Sequence, residues 1–333
     1  MATNATNIAD VDLIASLLRR YGRPTLEMLL KDRTTKKNII WADREYEQLG
    51  TGYGPYDEVT FERVCGKRVI EPRVVKSVDQ QAWRTKEKAE VFTPSWLCRK
   101  MVDCMDDAFF GSEPSGFVEN SETGLTEERI ASLAEKNRWQ KYVDNRLLEI
   151  TCGEAPFICS PYDATTGDFV PVEERIGFLD RKLRIVCRYA GSYDEWSKWA
   201  KRAVESSYGY EFQGDNLLIA RINVFNTFAD YMQYAWDRVP GEKEAREIAH
   251  VISWNLWQLD GLSGCVPSEW DIPEPVEPDV MQMSLFDLEG FMDDEEEVVD
   301  EEGVDQAELQ FAEKCLIFDW RARASQTYES LKG

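Results

Sequence analysis

Apolar residues recur along the chain at the three- and four-residue spacing of amphipathic helices. Leu13, Ile14 and Leu17, for example, fall on one face of a helix that Gly22 ends. The same spacing, with Gly, Pro and Ser as end signals, predicts helices over residues 10–21, 25–31, 95–110, 127–138, 176–188, 194–206, 216–236 and 242–253.

Short apolar runs between these helices predict β-strands over residues 38–41, 146–151, 208–212, 256–259 and 315–320. Strands that alternate with helices are typical of βαβ units. The sequence therefore predicts an α/β fold, with a mostly parallel sheet and flanking helices. We expect the last strand to return to the body after a stretch that breaks this rhythm.

The chain is acidic, with a net charge of −23, and most of this charge lies near its end. Residues 269–333 hold 20 acids and 4 bases, whereas the rest of the chain holds 42 acids and 35 bases. Eight of the ten residues in 293–302 are acidic, and such a run is usually disordered because it repels itself. We therefore expect a helical and loop region at residues 1–83 and a core at 84–266. An acidic linker at 267–310 and a C-terminal strand with a tail at 311–333 would follow.

Composition argues against several classes of protein. The chain has eight cysteines without a Cys-x-x-Cys pair and a single histidine, His250. This composition argues against a zinc site, so no metal is expected. One histidine also weakens any Ser-His or Cys-His hydrolase. No apolar run reaches the roughly 18 residues of a membrane span, and the polar start lacks a signal-peptide pattern. We expect a cytoplasmic protein with reduced thiols and no membrane partner.

An acidic residue ends each of three predicted strands. Glu149 precedes a turn at Gly153, Glu211 ends the next strand, and Asp260 ends the third. In an open sheet the carboxyl ends of the strands share one crevice, where nucleotide-like ligands bind. We therefore expect the three carboxylates to line a common pocket beside the glycine turn. Each acid taken alone is also typical of a solvated strand end or of an Asp-Gly turn.

At these residues the chain resembles the gamma-type DNA adenine-N6 methyltransferases, particularly proteins labelled restriction endonuclease subunit M. Residues 90–94 resemble the family's first motif and residues 149–157 its glycine motif. The resemblance implies a Rossmann-like S-adenosylmethionine-dependent methyltransferase fold, DNA as substrate and a further restriction-modification subunit as partner. It also implies that the cofactor is bound by Phe92, Thr93, Pro94, Glu149, Thr151, Cys152, Gly153, Glu211, Phe212, Asp260 and Gly261.

Two departures from the family's pattern bear on activity. Glu154 and Ala155 replace a small residue and a glycine, and a Cβ at a positive φ costs about 1 kcal/mol. A carboxylate at 154 would repel the cofactor's carboxylate if it pointed inward, and would attract its ammonium or sulfonium. The Asn/Asp-Pro-Pro-Tyr/Phe segment that binds the target amine is absent, and Trp270 with Asp271 is its nearest approximation. The catalytic residues are therefore unknown.

A short motif within the acidic stretch resembles the pentapeptide that binds the bacterial DNA sliding clamp. It consists of Gln282, Met283, Ser284, Leu285 and Phe286. A flexible linker would offer the leucine and phenylalanine to an apolar pocket of that partner. The alternative is that these two side chains fold back onto the body.

Two groups of basic residues are candidates for DNA contacts, or alternatively for solvated helix faces that pair with acids. The first group comprises Arg63, Lys67, Arg68, Arg73, Lys76, Arg84, Lys86 and Lys88. The second comprises Arg175, Arg181, Lys182, Arg184 and Arg188.

Three functions are compatible with the sequence. The first is an S-adenosylmethionine-dependent DNA adenine-N6 methyltransferase or modification subunit. The second is a catalytically inactive, methyltransferase-like subunit that binds DNA or a partner protein. The third is an acidic interaction protein whose tail mimics the charge of DNA.

Overall fold

The computed structural model describes residues 6–88, 93–112, 124–261, 263–267 and 313–331. Its helices are α1 (Leu13–Leu30), α2 (Phe61–Val64), α3 (Val78–Lys88), α4 (Ser95–Phe110), α5 (Glu127–Ser132), α6 (Arg138–Val143), α7 (Phe178–Tyr189), α8 (Tyr193–Glu205), α9 (Gly214–Trp236) and α10 (Glu242–Asn255). Short 3₁₀ turns lie at Ile8–Asp10, Glu47–Leu49, Arg73–Val75, Glu135–Asn137 and Tyr328–Leu331. Within these described ranges, no helix is long and apolar enough to cross a membrane.

Three parallel strands form the main sheet, namely β1 (Leu147–Glu149), β2 (Ser207–Glu211) and β3 (Leu256–Gln258). β2 lies in the middle and is paired with β1 on one side and β3 on the other. Parallel strands need crossover connections, and helices supply both of them. α7 and α8 lie between β1 and β2 in the chain, and α9 and α10 lie between β2 and β3. The predicted mixture of helices with a parallel sheet is thus confirmed.

α9 is the central helix of the fold. Most of its residues are buried, including the polar side chains of Asp215, Asn216 and Asn223. A helix that is buried on all sides belongs to the interior rather than to the surface. Together with the neighbouring helices and one face of the sheet it forms the main hydrophobic core, whose burial is the principal source of stability.

The other face of the sheet carries a smaller core. β4 (Leu316–Asp319) and β5 (Ala324–Thr327) form an antiparallel hairpin. Ile317 of this hairpin packs with Tyr210 and Trp257, whose side chains lie on the same face of neighbouring strands. The strand predicted at 315–320 is therefore present and returns to the body. It pairs with β5, however, and does not extend the main sheet.

The predicted strand at 38–41 is wrong, and a side chain explains why. Ile40 donates its N–H to Gln258 Oε1 and accepts from Gln258 Nε2, both at 2.9 Å. The amide of one side chain thus takes the place of a neighbouring strand, and only isolated bridges form in this segment.

Backbone conformations with a positive φ interrupt two helical segments. The helix predicted at 127–138 is divided into α5 and α6, because Lys136 and Asn137 between them have φ values of 49° and 59°. The predicted end of a helix at Gly22 is confirmed, because this residue has a non-helical φ of 75° and separates two helical segments within α1.

The start of α9 provides a test of how closely these elements pack. A Cβ on Gly214 would lie 2.0 Å from the carbonyl oxygen of Ile40. We expect Gly214→Ala to lower the free energy of unfolding by about 3 kcal/mol, because two backbone segments would have to separate.

The matched control for this substitution is Gly241→Ala at the start of α10. There the new Cβ would meet only the flexible carboxylate of Glu244, at 3.5 Å. We expect a loss of about 1 kcal/mol or less. Chemical denaturation measures both values, and equal losses would contradict the close contact at Gly214.

Candidate functional site

The chain bends sharply after β1, through backbone conformations that favour glycine. Gly153 has a φ of 52°, and Thr151 and Ala155 on either side have φ values of 45° and 68°. For a residue with a Cβ this region costs about 1 kcal/mol or more. Ala155 therefore does carry its Cβ at a positive φ. Such strained positions are concentrated at ligand and active sites, where the surrounding structure holds them in place.

Two strand-end carboxylates hold this bend. Glu149 accepts hydrogen bonds from the backbone N–H groups of Phe157 and Ile158, at 3.3 and 3.0 Å. Glu211 accepts from the N–H of Gly153 at 2.7 Å and from that of Gln213 at 3.1 Å. Both side chains are buried, and burial raises the pKa of Glu149 well above its usual value. The two acids therefore connect the ends of β1 and β2 to one turn.

Asp260 is placed differently from the other two acids. It lies two residues beyond β3 and accepts a hydrogen bond from the N–H of Ser263 at 2.8 Å, within its own turn. Burial and the neighbouring Tyr328 raise the pKa of Tyr210 to about 12, and the nearby Asp260 contributes a smaller part of this rise. The structure therefore brings Glu149 and Glu211 together at the turn, while the Asp260 carboxylate is engaged locally.

A cavity of about 120 Å³ lies beside the glycine turn. Of the residues predicted to bind a cofactor, those that line it are Thr93, Glu149, Thr151, Cys152 and Gly153. Those that do not line it are Pro94, Glu211, Phe212, Asp260 and Gly261. Phe92 and the predicted partner-binding residues Gln282, Met283, Ser284, Leu285 and Phe286 lie outside the described residues.

Several lining residues were not singled out from the sequence as ligand-binding. They include Arg73, Ser95, Tyr162, Asn216 and Asn223. The two asparagines are seven residues apart in α9, so they lie on one face of this helix. Their seven-residue spacing within a mostly apolar helix is the signal that would have found them.

Glu154, which follows Gly153 in the turn, is held within the cavity wall. Its carboxylate accepts hydrogen bonds from the N–H of Arg73 at 2.5 Å and from the hydroxyl of Tyr162 at 2.7 Å. Asn223 donates to the Glu154 carbonyl and to the Tyr162 hydroxyl. Glu154 therefore joins the turn to α9 and to the segment before α3.

The prediction that Arg73, Lys76 and Arg84 contact DNA is wrong, because all three side chains are buried. Arg84 lies 2.7 Å from Glu45 and 3.1 Å from Asp215, and Lys76 lies 3.1 Å from Asp215. Burial alone would raise the pKa of Asp215, but the two cations outweigh burial and hold that pKa below its usual value. This buried network fixes α3 against the start of α9.

The second basic group is likewise mostly internal, so the predicted DNA contacts of Arg181 and Lys182 are wrong, whereas Arg188 is exposed and its contact stays a prediction. Arg175 pairs with Asp230 at 2.7 Å, and Arg181 pairs with Asp103 at 2.7 Å. Lys182 donates to the carbonyl oxygens of Asn145 and Ser206. A sequence pattern alone does not distinguish these buried basic residues from exposed ones, because their hydrogen-bonding partners are distant in the chain.

The three cysteines that line the cavity, Cys98, Cys152 and Cys159, are not activated nucleophiles. Burial raises the pKa of Cys98 to about 12, and it raises the pKa values of Cys152 and Cys159 well above the usual value. These thiols stay protonated near neutral pH, and a thiol is a poor nucleophile compared with a thiolate. His250 lies elsewhere, with its Nδ1 3.1 Å from Arg33. These thiols therefore do not favour cysteine-based covalent catalysis at this cavity.

Comparison of the chain with protein-family models, with curated proteins and with solved structures found no match. A function for the chain is therefore argued from its own residues and geometry.

The loop that follows the turn provides a prediction about pH. Asp180 accepts hydrogen bonds from the N–H groups of Ser160 and Gly177, at 2.9 and 3.1 Å, and burial raises its pKa to about 6. Because the folded pKa lies above the unfolded value, the folded protein gains from protonation, and stability falls as the pH rises from about 4 to 6. This difference in pKa corresponds to roughly 3 kcal/mol.

Asp180→Asn mimics the protonated side chain, so we expect it to remove this part of the pH dependence. Unfolding free energies of both proteins, measured by denaturant titration between pH 4 and pH 7, test the expectation. At pH 7 the variant should be the more stable protein. A variant with the same slope against pH as the original chain would contradict the assignment.

Proposed function

We propose that this chain binds S-adenosylmethionine at the carboxyl ends of β1 and β2. It would act as a DNA adenine-N6 methyltransferase or as a modification subunit of a restriction-modification-type system. Three features support the proposal: parallel strands joined through helices, a glycine turn after the first strand, and a carboxylate at the end of the second. Rossmann-like folds use this combination for nucleotide-like ligands.

The observation that carries the proposal is the composition of the cavity. Thr93 belongs to the segment before α4, Gly153 to the turn after β1, and Asn216 to the first turn of α9. The resemblance implied cofactor contacts for Thr93 and for the glycine motif separately, and both line this one cavity.

The lining residues suit the methionine end of the cofactor, which carries an ammonium, a carboxylate and a sulfonium. When bound, this cofactor supplies a methyl group. Glu154 contributes a carboxylate to the cavity wall beside the buried Glu149, and a negative charge there favours the ammonium and the sulfonium. A cavity of about 120 Å³ is smaller than a site for a whole drug-sized ligand. Glu211, Phe212 and Asp260 would therefore hold the adenosine part.

Glu211 is compatible with two roles. Its carboxylate already accepts the N–H of Gly153, which fixes the turn. A carboxylate offers about four acceptor sites, so accepting from ribose hydroxyls as well is chemically reasonable. The same side chain would then couple the shape of the turn to the presence of the ligand.

A second candidate function is a subunit that binds the cofactor or DNA without transferring a methyl group. The observation that favours it is the absence from the sequence of any Asn/Asp-Pro-Pro-Tyr/Phe segment. Transfer of labelled methyl groups to adenine by the purified chain would exclude this alternative. Cofactor binding without transfer would favour it. Binding of a sliding clamp by residues 282–286, and mimicry of DNA by the acidic stretch, stay predictions.

Gly153→Ala tests the cofactor site. A Cβ at this position would meet no protein atom within 4 Å, so it would occupy open space beside the cavity. We expect the variant to bind S-adenosylmethionine at least about ten-fold more weakly by calorimetry, a change of roughly 1.4 kcal/mol.

Gly66→Ala is the matched control for this experiment. Gly66 also has a positive φ, of 72°, and also has nothing within 4 Å of an added Cβ, but it does not line the cavity. The two variants should lose similar stability, and only Gly153→Ala should lose affinity. Equal affinity in both variants, or no cofactor binding by the unaltered chain, would contradict the proposal.

A further inference from the structure

A second cavity, of about 470 Å³, lies directly behind the first. Pro161, Tyr162 and Asn223 line both cavities and form the wall between them. The other sides of the second cavity are formed by the N-terminal segment, by the loop before α7 and by the outer part of α9. None of its remaining lining residues belongs to the predicted cofactor site.

Two exposed aromatic side chains border this second cavity. Phe169 is 38% exposed and Tyr234 is 54% exposed. No ring of another described residue contacts either of them. Large aromatic groups left in water beside a cavity are typical of recognition sites, because they supply contact area with little loss of conformational entropy.

Polar groups of the cavity wall have unused hydrogen-bonding capacity. The Asn226 side chain forms no hydrogen bond with any residue that the structure describes, although it lines the cavity. Arg175 is only 6% exposed, and its Nη1 has no partner within the described part of the chain. A buried donor without a protein partner is costly, and a hydrogen-bond acceptor on a ligand would satisfy it.

The charged residues of the second cavity also differ from those of the chain as a whole. The cavity is lined by Arg20, Arg175 and Asp230, and because Asp230 pairs with Arg175 at 2.7 Å, the single excess positive charge is contributed by Arg20. This balance is the reverse of the chain as a whole, whose net charge is −23. The site therefore combines flat aromatic surfaces, an amide and a local excess of positive charge.

We propose that this second cavity binds a nucleotide. Aromatic rings stack on any base, an asparagine amide can read a base edge, and arginine neutralises phosphate. Phe169 and Tyr234 would provide the stacking surfaces, Asn226 the amide, and Arg20 the cation nearest to solvent. The inference rests on the proposed function only for its choice of DNA, rather than a free nucleotide, as the source of the ligand.

Fluorescence anisotropy with the full chain tests the inference. The probes are a labelled single-stranded oligodeoxynucleotide and free deoxyadenosine monophosphate as competitor. We expect Phe169→Ala and Tyr234→Ala each to weaken oligonucleotide binding by about 5-fold or more, the range found for loss of one stacking ring. Tyr56→Ala is the control, because Tyr56 is also 38% exposed and does not line the cavity.

Further measurements distinguish a free nucleotide from DNA as the ligand, and distinguish the second cavity from the cofactor site. Competition by the free nucleotide at concentrations similar to those of the oligonucleotide would support the nucleotide site with a free nucleotide as its ligand. Arg20→Gln should reduce the salt dependence of oligonucleotide binding by about one phosphate contact. The affinity for S-adenosylmethionine should be unchanged in all of these variants, so failure of the cofactor site is distinguishable. If neither probe binds, or if both alanine variants bind like the unaltered chain, the inference is wrong.

Discussion

The turn after β1 is held by two buried carboxylates, and the candidate site depends on them. Glu149 binds two N–H groups on the far side of the turn, and Glu211 binds the N–H of Gly153 itself. Each such hydrogen bond contributes about 1 kcal/mol. They offset the strain of the positive φ values at Thr151 and Ala155. The ends of two parallel strands thereby fix the shape of one cavity wall.

The opposite wall is positioned by buried charge. Arg84 and Lys76 surround Asp215 at the start of α9, and Asn216 follows it in the cavity wall. Removing such groups from water is expensive, so a buried network of this kind contributes more to position than to net stability. Because α3 carries Arg84, which also donates to Gln213, the network fixes α3 beside the start of α9. The two walls are therefore fixed by separate interactions that meet at α9.

Local patterns predicted much of this arrangement. Helical spacing predicted most helices, and the acids at 149 and 211 predicted which strand ends meet, because parallel strands share one edge. Interactions between distant residues were not predictable. Gln258 replaces a strand beside Ile40, and Arg84 is internal only because Asp215 and Glu45 lie near it. The cavity-facing role of Asn223 likewise depends on the placement of α9.

Hydrogen–deuterium exchange with and without S-adenosylmethionine is the most direct test of the central claim, that the turn after β1 is the wall of a ligand site. Binding should slow exchange of the N–H groups of Gly153, Phe157 and Ile158, whose hydrogen bonds to Glu211 and Glu149 would be stabilised by the ligand. Exchange in α10, which does not line the cavity, should be unchanged. Unchanged exchange of the three N–H groups under saturating ligand, or protection confined to another part of the chain, would contradict the account.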